Sequence, residues 1–288
     1  MQRLEQASRN VILLLFLIKT TVDAYMPVFA LIALVAYSVS LALIIPGLLQ
    51  KNSGWRRMAI LSAVIALISH AFALESRIIP GDGSVQNLSV LNVGSLVSRM
   101  ICTVMTIVAS KNRGWLLLPI VYAFALINLA LATFMPNEFI THLEATPGML
   151  VHIGLSLFSY ATLIIAALYA MQLAWIDYQL KNKKLAFNHE MPPLMVIERK
   201  MFHITQVGVV LLTLTLCTGL FYMKNLFSVE NIDKAVLSII AWFVYIVLLW
   251  GHYHEGWRGR RVVWFNVAGA GILTLAYFGS RFIQQFAG

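Results

Sequence analysis

Met149-Leu-Val-His152-Ile-Gly-Leu-Ser156-Leu-Phe-Ser159-Tyr160-Ala-Thr-Leu-Ile-Ile-Ala-Ala-Leu-Tyr169 decides what kind of protein this is. The run is apolar and long enough to cross a bilayer, which takes about 20 residues at 1.5 Å each. It carries a histidine one turn inside its start. A serine and a tyrosine come after it at helical spacing. An imidazole at membrane depth is costly unless it is hydrogen-bonded or bound to something.

Seven further stretches match it. The predicted spans are Pro27–Leu49, Met58–Leu74, Leu88–Ser110, Trp115–Phe134, Met149–Ile176, Phe202–Met223, Ala235–Trp250 and Val262–Phe282. Short loops with turn residues join them, such as Lys51-Asn52-Ser53-Gly54 and Pro80-Gly81-Asp82-Gly83. The fold class is therefore an all-α polytopic membrane protein, a bundle of eight transmembrane helices. Of the 288 residues, 60% are hydrophobic and only 11% are charged. That excludes an ordinary soluble domain, in which about a quarter of residues are charged. Val11–Ile18 is too short to span; it reads either as a signal-like or interfacial segment or, the preferred reading because a full span begins at Pro27, as part of an N-terminal extension over residues 1–25 upstream of a start at Met26. Residues 26–288 form one membrane domain.

The net charge of +9 sits in alternate loops. Lys51, Arg56, Arg57, Lys111, Arg113, Lys181, Lys183, Lys184, Arg199, Lys200, Arg258, Arg260 and Arg261 fall on one side. Only Arg77, Lys224, Lys234 and Arg281 fall on the other. This is the positive-inside pattern. It excludes a nucleic-acid interface and places the first set in the cytoplasm, at the inner membrane, with the C-terminus in the periplasm. The basic rim contacts anionic lipid of the bilayer.

The chain offers little for catalysis. None of the twelve acidic residues falls within the middle of a span. That removes a carboxylate pair for hydrolysis and argues against cation transport. Cys102 and Cys217 form no C-x-x-C pair. An enzyme is not indicated. Arg99 is the exception in charge, about eleven residues into the third span, roughly 16 Å deep. It either snorkels toward carbonyls and water or anchors an anionic group such as a carboxylate or phosphate.

Two of the seven histidines are deep. His70 on the second span and His152 on the fifth lie at matched depth, within about 10 Å of the outer surface. Two imidazoles facing each other suit an iron porphyrin, whose propionates favour arginine. Packed, hydrogen-bonded histidines explain either residue alone. His142 and His189 read as solvated loop residues.

Three stretches carry a resemblance. His152-Ile-Gly-Leu-Ser-Leu-Phe-Ser-Tyr160-Ala-Thr-Leu is similar to the His-x-Ser-x-x-x-x-Ser-Tyr-Ala-x-Leu of the CcsA, ResC and CcmC cytochrome c assembly family. Gly208-Val-Val-Leu-Leu-Thr213 through Thr218-Gly219 resembles its Gly-Phe-Pro-Leu-Leu-Thr…Thr-Gly. Gly256-Trp257-Arg258-Gly259-Arg260-Arg261 is close to its Gly-Trp-Arg-Gly-Arg. The likeness runs from Met26 to the C-terminus and is greatest to the HemX-containing branch. It implies haem handling at the outer face, with His152 matching the family's first external haem ligand. Two family features are unmatched: Phe227–Lys234 contains no tryptophan, and no histidine comes after His254. The family's membrane histidine falls near Trp250, with His252 two residues on. The expected function is haem or tetrapyrrole handling, as an assembly factor and not a complete ligase. The other reading is a non-haem adaptor that regulates a membrane or cytosolic protein partner, such as a tetrapyrrole-synthesis enzyme or a metal exporter.

Overall fold

The computed structural model describes residues 26–49, 53–79, 86–111, 114–135, 140–141, 146–182, 193–222 and 232–279. Residues 1–25, His142, His189, Lys183, Lys184, Lys224 and Arg281 lie outside the described residues. Eight helices among those described are long and apolar enough to cross a membrane. They are α1 (Met26–Leu49), α2 (Ser53–Ile78), α3 (Val90–Ser110), α4 (Leu118–Phe134, entered through a 3-10 turn at Trp115–Leu117), α5 (Pro147–Lys181), α6 (Leu194–Tyr222), α7 (Ile232–His254) and α8 (Arg260–Thr274). The spans occur in the expected order, and the fold is all-α and polytopic.

The ends differ where polar residues continue a helix beyond the apolar run. α6 begins at Leu194, not Phe202, so Glu198, Arg199 and Lys200 lie on its first turns. Hydropathy marks the slab of lipid, whereas a helix stops only where its backbone does. Pro193 precedes the first residue of α6 and accepts from Val196 and Ile197 through its carbonyl. α2 likewise runs on to Ile78 and takes Arg77 into its last turn.

The contacts divide the chain into two compact units, Met1–Leu143 and Glu144–Gly288. In the first, α1 lies along α2 and α4, and α3 lies between α2 and α4 in the order of contacts. A two-residue antiparallel ribbon, β1 (Gln86–Asn87) with β2 (Ile140–Thr141), pairs Gln86 with Thr141. Small residues make the close approaches. Ala30, Ala33, Ala59, Ala63 and Ala66 are essentially fully buried, as expected where lipid gives no hydrophobic drive and packing holds helices together. Ser89 caps α3 by accepting from the Asn92 amide.

In the second unit α5 lies along α6 and α8, and α7 lies along α6 and α8. Gly208 of α6 admits Leu163 of α5: a Cβ there would sit 2.5 Å from the Leu163 Cδ2. The turn from α7 to α8 is tightly built. The Glu255 and Trp257 amides both donate to the Gly251 carbonyl. Gly256 and Gly259 take φ of 66° and 67°, a region that suits glycine. The Trp257 ring lies over Gly251 and under the Arg261 guanidinium. The third sequence motif is thus a folded turn with its arginines exposed.

α8 ends in a five-residue π turn, Leu275–Gly279. Its wider winding lets two consecutive side chains reach one partner. Tyr277 stacks on Tyr160 at 4.9 Å, and Phe278 meets the same ring at 5.8 Å.

Candidate functional site

His152 stands in the second turn of α5, which opens with Pro147 in its first turn. Its ring is half-buried. Nδ1 lies 3.1 Å from the Thr215 carbonyl oxygen and 3.1 Å from Thr218 Oγ1, both on α6. A carbonyl only accepts, so Nδ1 carries the proton and donates. The tautomer is therefore set, and the lone pair is on Nε2. Nε2 has no hydrogen-bond partner among the described residues. A carbonyl behind Nδ1 with Nε2 open is how proteins orient an imidazole toward a metal.

Why α6 presents that carbonyl can be read from its threonines. Thr213, Thr215 and Thr218 each donate to the carbonyl four residues earlier, at 2.8, 2.8 and 2.9 Å. This back-bonding satisfies each hydroxyl inside its own helix and loosens the ladder. Thr213 also accepts from Trp242 Nε1 at 2.9 Å. The first two sequence motifs therefore interlock. His152 meets Thr215 and Thr218, and Ser159 donates to the Gly208 carbonyl at 3.2 Å. Residue pattern alone does not mark these threonines as partners of the histidine; their place in the second motif is the available signal.

The face of α5 that carries His152 continues through Ser156 and Tyr160. Ser156 donates to the Ile153 carbonyl. Tyr160 and Thr274 hydroxyls are 2.9 Å apart. Asn266 of α8 is fully buried, and its Nδ2 donates to Thr205 at 2.9 Å. Its Oδ1 is buried and has no partner among the described residues.

His70 has a different setting. It belongs to the first unit and is fully buried. Nδ1 is 3.2 Å from the Tyr37 hydroxyl and Nε2 is 2.9 Å from Ser95 Oγ. Both ring nitrogens are occupied, and hydroxyls on both sides satisfy either tautomer. To ligate iron, His70 would first have to release Ser95 or Tyr37. Arg99 is also in the first unit, half-buried, one turn after Ser95 on α3. His252 donates from Nδ1 to the Trp257 carbonyl at 3.1 Å, and its ring stacks on Phe202 with centroids 3.4 Å apart. Among the described residues no three His, Cys, Asp or Glu side chains gather as a metal cluster.

Comparison with known proteins agrees with the motifs. The profile of the cytochrome c assembly protein family matches residues 58–287. The inner membrane protein YpjD of Escherichia coli strain K12 is 90% identical over 260 residues, which cover 90% of this chain and 99% of that one. A 28.8 kDa protein of Azospirillum brasilense is 27% identical over 187 residues, 63% of this chain and 69% of its own. The cytochrome c biogenesis protein CcsA of Prochlorococcus marinus is 23% identical over 186 residues, 55% of this chain and 60% of its own. No solved structure matches. With eight membrane-length helices and a family match over most of its length, this chain is a multi-pass inner-membrane protein that belongs to the cytochrome c assembly protein family.

Proposed function

We propose that this protein handles haem in the inner membrane, with His152 Nε2 as the protein's ligand to the iron. The observation that carries the reading is the fixed tautomer: the Thr215 carbonyl holds the Nδ1 proton and leaves Nε2 open. The donor fits the group. A neutral imidazole oriented by a carbonyl is a common ligand to haem iron, and bound haem would supply a redox-active iron to a client. Family membership supports the chemistry, as does the name of the cytochrome c biogenesis relative. His70, expected as the second ligand, keeps both nitrogens in hydrogen bonds, so His152 carries the proposal alone. The protein acts as an assembly factor that holds or passes haem, not as a self-sufficient ligase.

Absorption spectra of detergent-purified protein from haem-replete cells test this. Wild type and His189→Ala should show the same haem bands. His152→Ala should retain haem at least about tenfold more weakly, as loss of one protein ligand implies, and regain a wild-type-like spectrum with added imidazole. His70→Ala should keep the wild-type bands per folded molecule. Colourless wild type, or an unchanged spectrum in His152→Ala, refutes the proposal; the first outcome favours the adaptor reading.

The proposed orientation places the start of α5 outside and the C-terminus in the periplasm. A reporter that works only in the cytoplasm should therefore be active when fused within residues 178–201 and inactive within 137–144. Reversed activities would put His152 at the cytoplasmic face.

A further inference from the structure

Two arginines of the first unit hold guanidinium groups that meet no carboxylate among the described residues. Nε of Arg77 and Nε of Arg99 are both buried and have no hydrogen-bond partner among the described residues. Arg77 donates from Nη1 to the Ala132 carbonyl at the end of α4. The Arg99 side chain makes no hydrogen bond among the described residues. The one carboxylate among the described residues of this unit is Glu75, which is exposed. It sits two positions from Arg77, a spacing that points side chains apart on a helix.

The helix directions aim the two side chains toward the level of His70. α2 runs toward the β1–β2 ribbon, and α3 runs away from it. Side chains on a helix lean toward its N-terminus. Arg77, in the last turn of α2, therefore leans back into the bundle. Arg99 starts roughly 14 Å along α3 and leans back toward the ribbon. Register supports the convergence: Arg77 follows His70 by seven residues, two turns on along the same face of α2. His70 is itself bonded to Ser95, one turn before Arg99.

A guanidinium stays charged in proteins and presents five N–H donors. Two of them near one imidazole repel each other, and each bears the cost of leaving water. A backbone carbonyl takes one donor and none of the charge. We propose that the space beside His70, between Arg77 and Arg99, binds an oxyanion. Its class is a phosphate or carboxylate group, received by the Arg99 fork and contacted by Arg77. A phospholipid headgroup and a small soluble anion share that chemistry. The site lies within the first unit and does not depend on haem binding by His152.

The test uses probes without iron or porphyrin, so a colourless protein would leave it intact. Full-length wild type, Arg99→Lys, Arg99→Gln and Arg77→Gln are purified in mild nonionic detergent. Thermal unfolding is tracked with inorganic phosphate, hexanoate or dihexanoyl phosphatidylglycerol, against chloride at equal ionic strength. Native mass spectrometry of the same samples shows any anionic lipid already held. At least one oxyanion should raise the wild-type midpoint saturably while chloride does not, or a retained anionic lipid should be present. Half-saturation should rise about tenfold or more in Arg99→Lys and Arg77→Gln, because an ammonium cannot reproduce the bidentate fork and glutamine carries no charge. A response to the lipid alone, or a retained lipid, identifies a headgroup; a response to phosphate or hexanoate identifies a soluble anion. Should Arg99→Gln fail to fold, the lysine variant and Arg77→Gln still decide. A wild type with no retained lipid and no response beyond chloride overturns the inference. So does equal binding in every variant that folds.

Discussion

Replacing His70 with leucine should unfold the first unit at a clearly lower detergent or temperature stress than wild type, with any haem signal per folded molecule unchanged. The cost arises from the two partners left behind. His70 is fully buried, and it joins the Tyr37 hydroxyl to Ser95 Oγ across α1, α2 and α3. Leucine fills much of the volume but strands both hydroxyls. A buried polar group without a partner costs about 1–3 kcal/mol, so the pair accounts for roughly 2–6 kcal/mol. The Tyr37→Phe and Ser95→Ala changes should each recover part of that loss in the leucine background, because they remove an orphan. The measurement is an SDS-unfolding titration monitored by circular dichroism. Stability within about 0.5 kcal/mol of wild type, the range of an ordinary surface change, would mean that the chain of three side chains does not brace the helices.

The second large effect is expected at Gly208. A Cβ there would lie 2.5 Å from Cδ2 and 2.7 Å from Cγ of Leu163, which is itself fully buried. Gly208→Leu must push α6 off α5, and overpacking in a dense core costs about 1–3 kcal/mol and sometimes more. The same displacement would lengthen the Ser159 bond to the Gly208 carbonyl and the His152 bond to Thr215 two turns on. The variant should therefore lose stability and weaken haem retention together. Leu163→Ala in the same chain should restore part of both by opening the space that the new side chain enters. If Gly208→Leu retains haem and unfolds like wild type, helix contact at Gly208 does not position His152.

Much of this architecture is legible in the residues, and the limits have physical causes. Hydropathy locates all eight spans because lipid demands long apolar runs. It misplaces the start of α6 because Glu198, Arg199 and Lys200 form helix as readily as lipid-facing residues do. His152 stands out as a polar group in an apolar run. Its partners Thr215 and Thr218 do not, since a threonine in a membrane helix usually satisfies itself on its own backbone. The matched depth of His70 and His152 suggests a pair. Depth fixes only one coordinate, and the hydroxyls of Tyr37 and Ser95 that fill both sides of His70 come from helices distant in sequence. Arg99 is visible as a charge within a span, but the place of Arg77 on the same helix as His70 depends on α2 extending to its last turn.

The π turn at Leu275–Gly279 bears on how this helix can change over evolutionary time. A π turn holds one residue more than the α turn it replaces. Deleting one residue within 275–279 would restore regular winding without moving Asn266 or Gly269, which lie upstream. It would, however, remove the wider winding that brings two consecutive side chains to one partner. Tyr277 and Phe278 could then no longer share the Tyr160 ring. The segment is a spare residue in the helix's phase: length can be gained or lost there by a single codon, and the side chains that register the change are those facing Tyr160.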